Sequence, residues 1–225
     1  MEVRPPRRSE WKTRRGVRTD AATDREDIMK ALVIGATGSI GGVVADALAA
    51  RGHDVIRASR SGDEAVDVND AASIGALFER VGTVDAVVVA VGSVPFKPLA
   101  ELTREDYIAA FTGKTLAQIE VVRQALPHLA DGGSITLTSG VLAREPIATG
   151  AAAAMANGAL ESFAITAAAE APRGIRVNAI SPDVLANSPG YHSSFPGHRP
   201  VTDEEVATAY VRSVEGVITG RILAV

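Results

Sequence analysis

Lys30-Ala-Leu-Val-Ile-Gly-Ala-Thr-Gly-Ser-Ile-Gly-Gly42 is the stretch of this sequence that decides the fold. Its apolar run 31–34 ends in β-branched residues and predicts a buried parallel strand, and the segment that follows places apolar residues at helical spacing. Gly35 permits a tight turn, Gly38 lets a ligand approach the backbone, and Gly41 lets the helix pack on the strand. Free backbone N–H groups and the positive end of the helix dipole would face an anion there. The stretch therefore predicts a diphosphate site, the alternative being a strand, turn and helix with a structural role only.

The composition excludes several classes of site. The chain has 225 residues, of which 46% are apolar, so one domain with a sizeable core is expected. It has no cysteine, which excludes disulfides, thiolate metal sites and a cysteine nucleophile. The four histidines are scattered, so no metal site is expected, and no stretch is apolar for long enough to span a bilayer. We therefore expect a soluble, cytoplasmic protein without a metal or a membrane partner.

The charge is unevenly distributed. Residues 1–18 contain seven basic and two acidic residues, a net charge of +5, so the rest of the chain carries −9 of the total of −4. We interpret residues 1–28 as a basic, disordered extension of a domain that spans 29–225. The alternative is an arm for nucleic acid or a membrane surface, although Trp11 is its only aromatic residue. Met29 directly precedes the first predicted strand and is an alternative start of translation.

Strand and helix patterns alternate from Met29 onwards. Such alternation predicts a single-domain α/β fold, a Rossmann-like doubly wound parallel sheet. Thr103 with Asp106 three residues later indicates a helix N-terminus with a capping box. The predicted strands are 30–34, 54–58, 65–68, 84–90, 134–138, 175–180 and 221–224, and the predicted helices are 40–51, 71–81, 103–128, 151–171 and 203–213.

An arginine follows the second predicted strand, where a dinucleotide fold that binds ribose hydroxyls would carry an acid. The strand continues into Ser59 and Arg60, with Arg57 nearby. A carboxylate would repel a 2′-phosphate, whereas a guanidinium grips it in a forked geometry. The sequence therefore predicts NADP(H) rather than NAD(H); the alternative is that the arginines form a solvated edge. Asp67 and Val68 end the next predicted strand, where the acid would meet an adenine amino group or serve only as a polar strand end.

Later segments add candidate residues at the same edge of the sheet. Strand 84–90 ends in small residues that leave room for a flat ligand. Ser139 follows strand 134–138 and could donate a hydrogen bond to a carbonyl oxygen, the alternative being a turn serine. Lys114 lies in the middle of a predicted helix, where lysine is usually a surface residue. The turn-rich segment 184–200 has the composition of a flexible lid.

Several of these motifs together resemble the short-chain dehydrogenase/reductase family over essentially all of 29–225. The resemblance implies a nicotinamide-dependent oxidoreductase with a Rossmann fold. The chain looks shortened, because the family's usual helix between the second and third strands is missing. The matching pieces are Gly35-Ala-Thr-Gly-Ser-Ile-Gly41, Asp67-Val68, Leu126-Pro-His-Leu129, Thr138-Ser139-Gly140, Gly158-Ala-Leu-Glu-Ser-Phe163 and Ala171-Pro-Arg-Gly-Ile-Arg-Val-Asn-Ala-Ile-Ser-Pro182.

The resemblance also implies roles for individual residues. Ser59 and Arg60 would select the phosphate of NADP, and Asp67 and Val68 would hold the adenine. Ser139 matches the catalytic serine that orients the substrate carbonyl. The diphosphate contacts would come from Gly35, Thr37, Ser39, Ile40 and Gly41. The contacts along the rest of the cofactor would come from Ala90, Val91, Gly92, Pro182 and Val184.

The departures from the family pattern concern the acid/base groups. Alignment on the Gly158 motif puts Ala153 at the family's catalytic tyrosine and Asn157 at its lysine. Lys114 stands at the usual helix asparagine, Ser39 at the middle glycine of the phosphate turn, and Asn187 at the usual threonine. We therefore hypothesise a rearranged site with Lys114 and Ser139 at its polar centre. A buried ammonium can lose pKa units or stay charged and bind the cofactor ribose.

A proton donor must then come from elsewhere in the chain. Tyr191 or His192, on the predicted lid, would be within reach of a ligand in the crevice. General acid catalysis is typically worth about 10²–10⁴-fold, so a site without any donor would be slow.

Three functions are compatible with these sequence features. The first is an NADP(H)-dependent oxidoreductase that acts on a small carbonyl or alcohol. The second is a non-catalytic NADPH-binding sensor or regulatory protein, which would explain the missing tyrosine and lysine. The third is association with nucleic acid through the basic segment, which the acidic body argues against.

We also expect a homodimer or homotetramer. The helices at 103–128 and 151–171 resemble the family's dimer-forming pair, and the small-residue face Ala151–Ala154 would permit close helix contact.

Overall fold

The computed structural model describes residues 28–225, so the basic segment predicted at 1–28 lies almost entirely outside the described residues. Seven parallel strands form one sheet with the order β3-β2-β1-β4-β5-β6-β7. This is the predicted Rossmann-like α/β fold. The strands are β1 (Lys30–Ile34), β2 (Asp54–Ser59), β3 (Glu64–Ala65), β4 (Val84–Val89), β5 (Leu129–Thr138), β6 (Arg176–Ser181) and β7 (Ile222–Ala224), and the helices are α1 (Gly41–Ala50), α2 (Ala71–Val81), α3 (Arg104–Ala110), α4 (Ala117–Ala125), α5 (Ala151–Glu170) and α6 (Asp203–Glu215).

Two apolar layers hold the helices on the two faces of the sheet. Alternate residues of β1 point to opposite faces, so Ala31 and Val33 pack with α1 and α6, while Leu32 and Ile34 pack with α2, α4 and α5. Both faces of the central strands are thereby buried, which explains why their sequences are continuous apolar runs. Most of the candidate site residues directly follow the carboxyl ends of the strands, while Lys114 lies in a helical segment.

The third strand is shorter than predicted. The sequence favours a strand at 65–68, but only Glu64–Ala65 pairs with β2. Glu64 lies opposite Ala58, at the carboxyl end of β2, so four residues suffice for a connection that otherwise needs a helix. The chain then leaves the sheet, because the carboxylate of Asp67 accepts a hydrogen bond from the backbone N–H of Asn69 at 2.9 Å and forms a turn.

The long helix predicted at 103–128 is divided into segments. It begins at the predicted capping box, in which Thr103 and Asp106 bind each other's backbone N–H. A π-helical segment, Phe111–Leu116, separates α3 from α4, and a 3₁₀ turn follows α4. Gly113 lies in the π-helical segment, and its carbonyl oxygen accepts a hydrogen bond from Ser93 N at 3.2 Å. The helix changes its pitch where it contacts the loop after β4. The periodicity of the residues does not predict this change.

The segment predicted as a lid, 184–200, contains local regular structure. A β-bridge joins Leu185 to Val201, and residues Pro189–Ser194 form a 3₁₀ helix between them. Within residues 28–225, no helix is both long and apolar enough to cross a membrane.

Candidate active site

The glycine-rich turn after β1 has no room for side chains at two positions. Gly35 has φ +91°, and a Cβ there would lie 2.9 Å from the carbonyl carbon of Ala90. A Cβ on Gly41 would lie 2.6 Å from the carbonyl carbon of Gly35. These distances are shorter than van der Waals contact, so the turn closes tightly against β4 and α1 because both residues are glycine.

The N-terminus of α1 is suited to an anion. Ile40 precedes the helix without a side-chain cap, and the first turn contains no acidic residue. The positive end of the helix dipole is therefore not neutralised by the chain's own carboxylates.

A cleft of about 470 Å³ opens beside this turn. Its volume lies in the range of small-molecule sites. It is lined by ten of the predicted cofactor residues: Gly35, Thr37, Gly38, Ser59, Arg60, Asp67, Val68, Ala90, Val91 and Gly92. Five residues without a predicted cofactor role also line it: Ile34, Val66, Asn69, Ser93 and Gly113. The other predicted residues lie outside that lining: Ser39, Ile40, Gly41, Lys114, Ser139, Pro182 and Val184.

The two arginines at the end of β2 have different environments. Arg57 forms an ion pair with Asp46 of α1 at 2.8 Å, away from the cleft. Arg60 lines the cleft, and within the described part of the chain it has no ion-pair partner. Ser59 is buried, and its hydroxyl donates to the backbone carbonyl of Ser61, which shapes the turn that carries Arg60. Of the two arginines, Arg60 is the one available to an anion in the cleft.

The stem of Lys114 packs against Gly92, which lines the cleft. A Cβ on Gly92 would lie 2.7 Å from Lys114 Cγ, so the absence of a side chain at residue 92 makes room for the lysine stem. The ammonium donates a hydrogen bond to the backbone carbonyl of Ser139 at 3.0 Å. Burial lowers the pKa of Lys114 to about 8, and the negative charge of Glu161 opposes that shift. The hypothesis that Lys114 and Ser139 lie together is therefore consistent with the geometry.

The hydroxyl of Ser139 belongs to a network that sequence analysis did not include. It donates to Glu161 Oε1 at 2.8 Å and contacts the backbone carbonyl of Asn157 at 3.4 Å. The other oxygen of Glu161 accepts from Arg144 Nη1 at 2.5 Å, and Arg144 Nη2 donates to Ser181 Oγ at 2.7 Å. One sequence feature could have predicted that Glu161 belongs to the site. It follows Asn157 by four residues, which places both on one side of α5.

The two positions aligned with the family's tyrosine and lysine are buried in α5. Ala153 is 2% and Asn157 4% exposed. Asn157 Oδ1 has no hydrogen-bond partner among the described residues, a costly condition for a buried amide oxygen. Neither side chain can donate or accept a proton as an acid or base.

The hydrogen bonds of the loop do not place its proposed proton donors beside Lys114 or Ser139. Tyr191 is 57% exposed, and its ring lies 6.5 Å from that of Phe96. His192 Nε2 lies 2.9 Å from the backbone carbonyl of Leu185, so this nitrogen carries the hydrogen. Within the described chain, none of the hydrogen bonds of these two side chains involves the lysine or the serine.

Residues after β6 hold the loop against the glycine-rich turn. The backbone carbonyl of Pro182 accepts from Val141 N, and that of Val184 accepts from Val201 N, both at 2.9 Å. Asn187 Nδ2 donates to the backbone carbonyl of Ser39 at 3.2 Å. The bond from Asn187 places the loop beside the N-terminus of α1, although the two residues are 148 positions apart in sequence.

A second cavity lies between the loops after β4 and β5. Its volume is about 310 Å³, and its walls are mainly apolar. The main contributors are Leu99, Leu142, Pro146, Ile147 and Ala154.

Comparisons with known proteins agree with this architecture. A short-chain dehydrogenase family model, described as enoyl-(acyl carrier protein) reductase, matches residues 35–224. The hydroxynaphthalene reductase-like protein Arp2 of Metarhizium brunneum is 35% identical in an alignment of 177 residues that covers 68% of this chain and 66% of that protein. An uncharacterized oxidoreductase of Methylorubrum extorquens is 31% identical in an alignment of 188 residues that covers 73% of this chain and 75% of that protein.

Solved structures are similar over a larger share of the chain. The Listeria innocua protein lin1944 is 45% identical, with a TM-score of 0.85 over 88% of this chain and 99% of that one. A small-chain dehydrogenase in complex with NADPH is 28% identical, with a TM-score of 0.78 over 88% and 97% of the two chains. Since the family model covers nearly all of the described residues, this chain belongs to the short-chain dehydrogenase/reductase family of oxidoreductases.

Proposed function

We propose that this protein is an NADP(H)-dependent oxidoreductase that acts on a small carbonyl or alcohol. The observation that carries the proposal is Arg60, an arginine without an ion-pair partner among the described residues, in the same cleft as the glycine-rich turn. The turn and the N-terminus of α1 suit a diphosphate, and a guanidinium at the other end suits a 2′-phosphate. The related dehydrogenase that binds NADPH supports the same choice of cofactor.

The cleft suggests how the chain would hold the cofactor. Arg60 and Ser59 would bind the 2′-phosphate, while Asp67 and Val68 would lie along the adenine. Lys114 would bind the ribose near the nicotinamide. The diphosphate would lie against Gly35, Thr37, Gly38, Ser39, Ile40 and Gly41. The inner half of the cofactor would lie along Ala90, Val91, Gly92, Pro182 and Val184.

The chain's own residues would then orient the substrate. Bound NADP(H) supplies hydride transfer at its nicotinamide ring. Ser139 would hold the substrate oxygen, with the Lys114 ammonium adding positive charge nearby. The apolar cavity beside Leu142 would take the hydrocarbon part of a substrate.

A non-catalytic NADPH-binding protein is the second candidate. The absence of a tyrosine at residue 153 and of a lysine at residue 157 favours it. So does the hydroxyl of Ser139, because its hydrogen is already donated to Glu161. To donate to a substrate carbonyl, the hydroxyl would have to exchange Glu161 for that carbonyl.

A two-step experiment separates these candidates. The protein is titrated with NADPH and with NADH by fluorescence, and a panel of small aldehydes, ketones and quinones is then added. We expect tighter binding of NADPH and loss of its fluorescence when a carbonyl is added. Binding without loss across the panel would favour the non-catalytic protein. No binding of either nucleotide would reject both candidates.

A further inference from the structure

One side of α5 faces the carboxyl end of β5. Residues 153, 157 and 161 are spaced by four and therefore lie one above another on this side. The backbone carbonyl of Asn157 lies 3.4 Å from Ser139 Oγ. The side-chain Nδ2 of Asn157 lies 3.0 Å from the position that a Cβ on Gly140 would take. Ala153 and Asn157 carry no acid or base, so Glu161 is the one titratable group among the three.

The carboxylate of Glu161 is held in one orientation by groups from different elements. One oxygen accepts from Ser139 Oγ at 2.8 Å, and the other accepts from Arg144 Nη1 at 2.5 Å. Arg144 is itself fixed by Ser181, which ends β6. Lys114 supplies a second positive charge close enough to interact with Glu161. Two positive charges from different elements therefore face this carboxylate.

The hydrogen bond to Glu161 determines what Ser139 can do next. A serine hydroxyl has one hydrogen to donate and two lone pairs that accept. Because its hydrogen is directed at Glu161, the lone pairs of Ser139 remain for the O–H of an alcohol.

From this geometry, and resting on the proposed function, we propose that Glu161 is a positioning residue that acts as a base through Ser139 in alcohol oxidation. The substrate O–H bond breaks, and its proton passes to Ser139 Oγ while the original hydrogen of Ser139 passes to Glu161 Oε1. The C–H electron pair leaves as hydride to a nicotinamide dinucleotide, which is reduced as the alcohol is oxidised to a carbonyl. The proton released by the reaction thus resides on Glu161. Reduction of a carbonyl follows the same path in reverse, from the protonated carboxyl group.

Glu161→Gln tests the proposal, because it preserves size and a hydrogen-bond acceptor for Ser139 but removes the base. The substrate is the alcohol product of any carbonyl that the wild-type protein reduces, supplied with NADP⁺. We expect kcat to fall by about 10²–10⁴-fold. We expect kcat/KM of the wild type to decrease towards low pH and that of Glu161→Gln not to do so. The dissociation constant of NADPH and the melting temperature should stay within twofold and within a few degrees of the wild type.

Two further variants separate this role from a structural one. Glu161→Asp keeps the carboxylate and should recover the low-pH dependence with part of kcat. Glu170→Gln makes the same change at the exposed end of α5 and should resemble the wild type.

An active Glu161→Gln variant with an unchanged pH profile would overturn the relay and leave the proposed function standing. A wild-type protein that binds NADPH but turns over no substrate would overturn the catalytic function, and the relay with it. A Glu161→Gln protein that loses NADPH binding together with turnover would assign the residue to the structure of the cleft and reject the relay.

Discussion

Arg60 is the residue on which the cofactor preference of the proposed site depends. We expect Arg60→Ala to weaken NADPH binding by about 10–100-fold, because charge-assisted hydrogen bonds contribute about 1.5–3 kcal/mol. NADH affinity should not change, since that dinucleotide lacks the 2′-phosphate. Fluorescence titration measures both constants. Arg57→Ala is the matched control, because Arg57 is already paired with Asp46 away from the cleft; equal losses in both variants would show that general positive charge, and not Arg60, selects the cofactor.

Because of Lys114, the free energy of unfolding should change with pH in the alkaline range. Burial lowers the pKa of its ammonium to about 8, whereas an unfolded lysine titrates near 10.5. Between these values the unfolded state binds more protons, so the free energy of unfolding should rise with pH relative to Lys114→Met. Below pH 8 the cost of burying the charge is fully present. Urea unfolding of both proteins from pH 7 to 10.5 measures the difference; a constant difference would contradict the lowered pKa.

The same substitution tests the lysine as part of the site. Lys114→Met keeps most of the stem that packs on Gly92 but removes the ammonium that binds the carbonyl of Ser139. We expect weaker NADPH binding and slower turnover in the variant. If neither changes, the hypothesis of a polar centre at Lys114 and Ser139 is wrong.

At the scale of elements, the joint between β1 and α1 tolerates no Cβ at Gly41. Gly41→Ala forces a shift of the turn, because the added carbon would lie 2.6 Å from the carbonyl carbon of Gly35. We expect loss of NADPH binding and a lower free energy of unfolding by about 1–3 kcal/mol. In Gly158→Ala, on α5, the Cβ meets no atom within 4 Å, so stability should be equal or up to about 1 kcal/mol higher. Calorimetry and fluorescence titration of the two variants give the comparison.

Gln118 joins α4 to the ends of β4 and β5. Its amide donates to the carbonyls of Val91 and Thr138 and accepts from Thr138 N, all at 2.9 Å, in a fully buried position. Gln118→Met has a similar volume but removes the side-chain partner of three backbone groups. We expect a loss of about 3 kcal/mol or more in urea unfolding. Gln124→Met, on the more exposed side of α4, should cost less than about 1 kcal/mol; similar losses would contradict this role of Gln118.

At the scale of the whole molecule, the proposed oligomer needs a different surface from the predicted one. The sequence suggested the small-residue face Ala151–Ala154, but Ala152 and Ala153 are buried inside the chain itself. The apolar side chains left exposed on the same helices include Ile108, Phe111 and Met155. We propose that this surface forms the contact between copies of the chain. Phe111→Ser should shift the protein towards the monomer in analytical ultracentrifugation, and an unchanged mass would reject the surface.

The basic segment can also be tested on the complete chain. We expect a protein lacking residues 1–28 to unfold at the same temperature and to bind NADPH as before, because all the cleft residues come later in the sequence. Retention of nucleic acid at low salt by the full chain and its loss after the deletion would support the alternative of a nucleic-acid arm.

By itself, the sequence determined the class of fold and the part of the site formed by the glycine-rich turn and Arg60. Both depend on local patterns: strand and helix periods alternate along the chain, and Gly35 and Gly41 specify the turn next to them in sequence. Arg60 could be predicted in the same way, since it directly follows the strand that delivers it to the cleft. The capping box at Thr103 is a further local feature that the structure confirms.

Only the tertiary structure decided which of these residues have partners and how Lys114, Ser139 and Glu161 are arranged. Packing pairs Arg57 with Asp46, shortens the third strand at the end of β2, and introduces a π-helical segment where Gly113 contacts Ser93. It also brings Glu161 to Ser139 across 22 residues of sequence. Such contacts depend on how a helix docks on the sheet, and no periodicity within either segment encodes the distance between them.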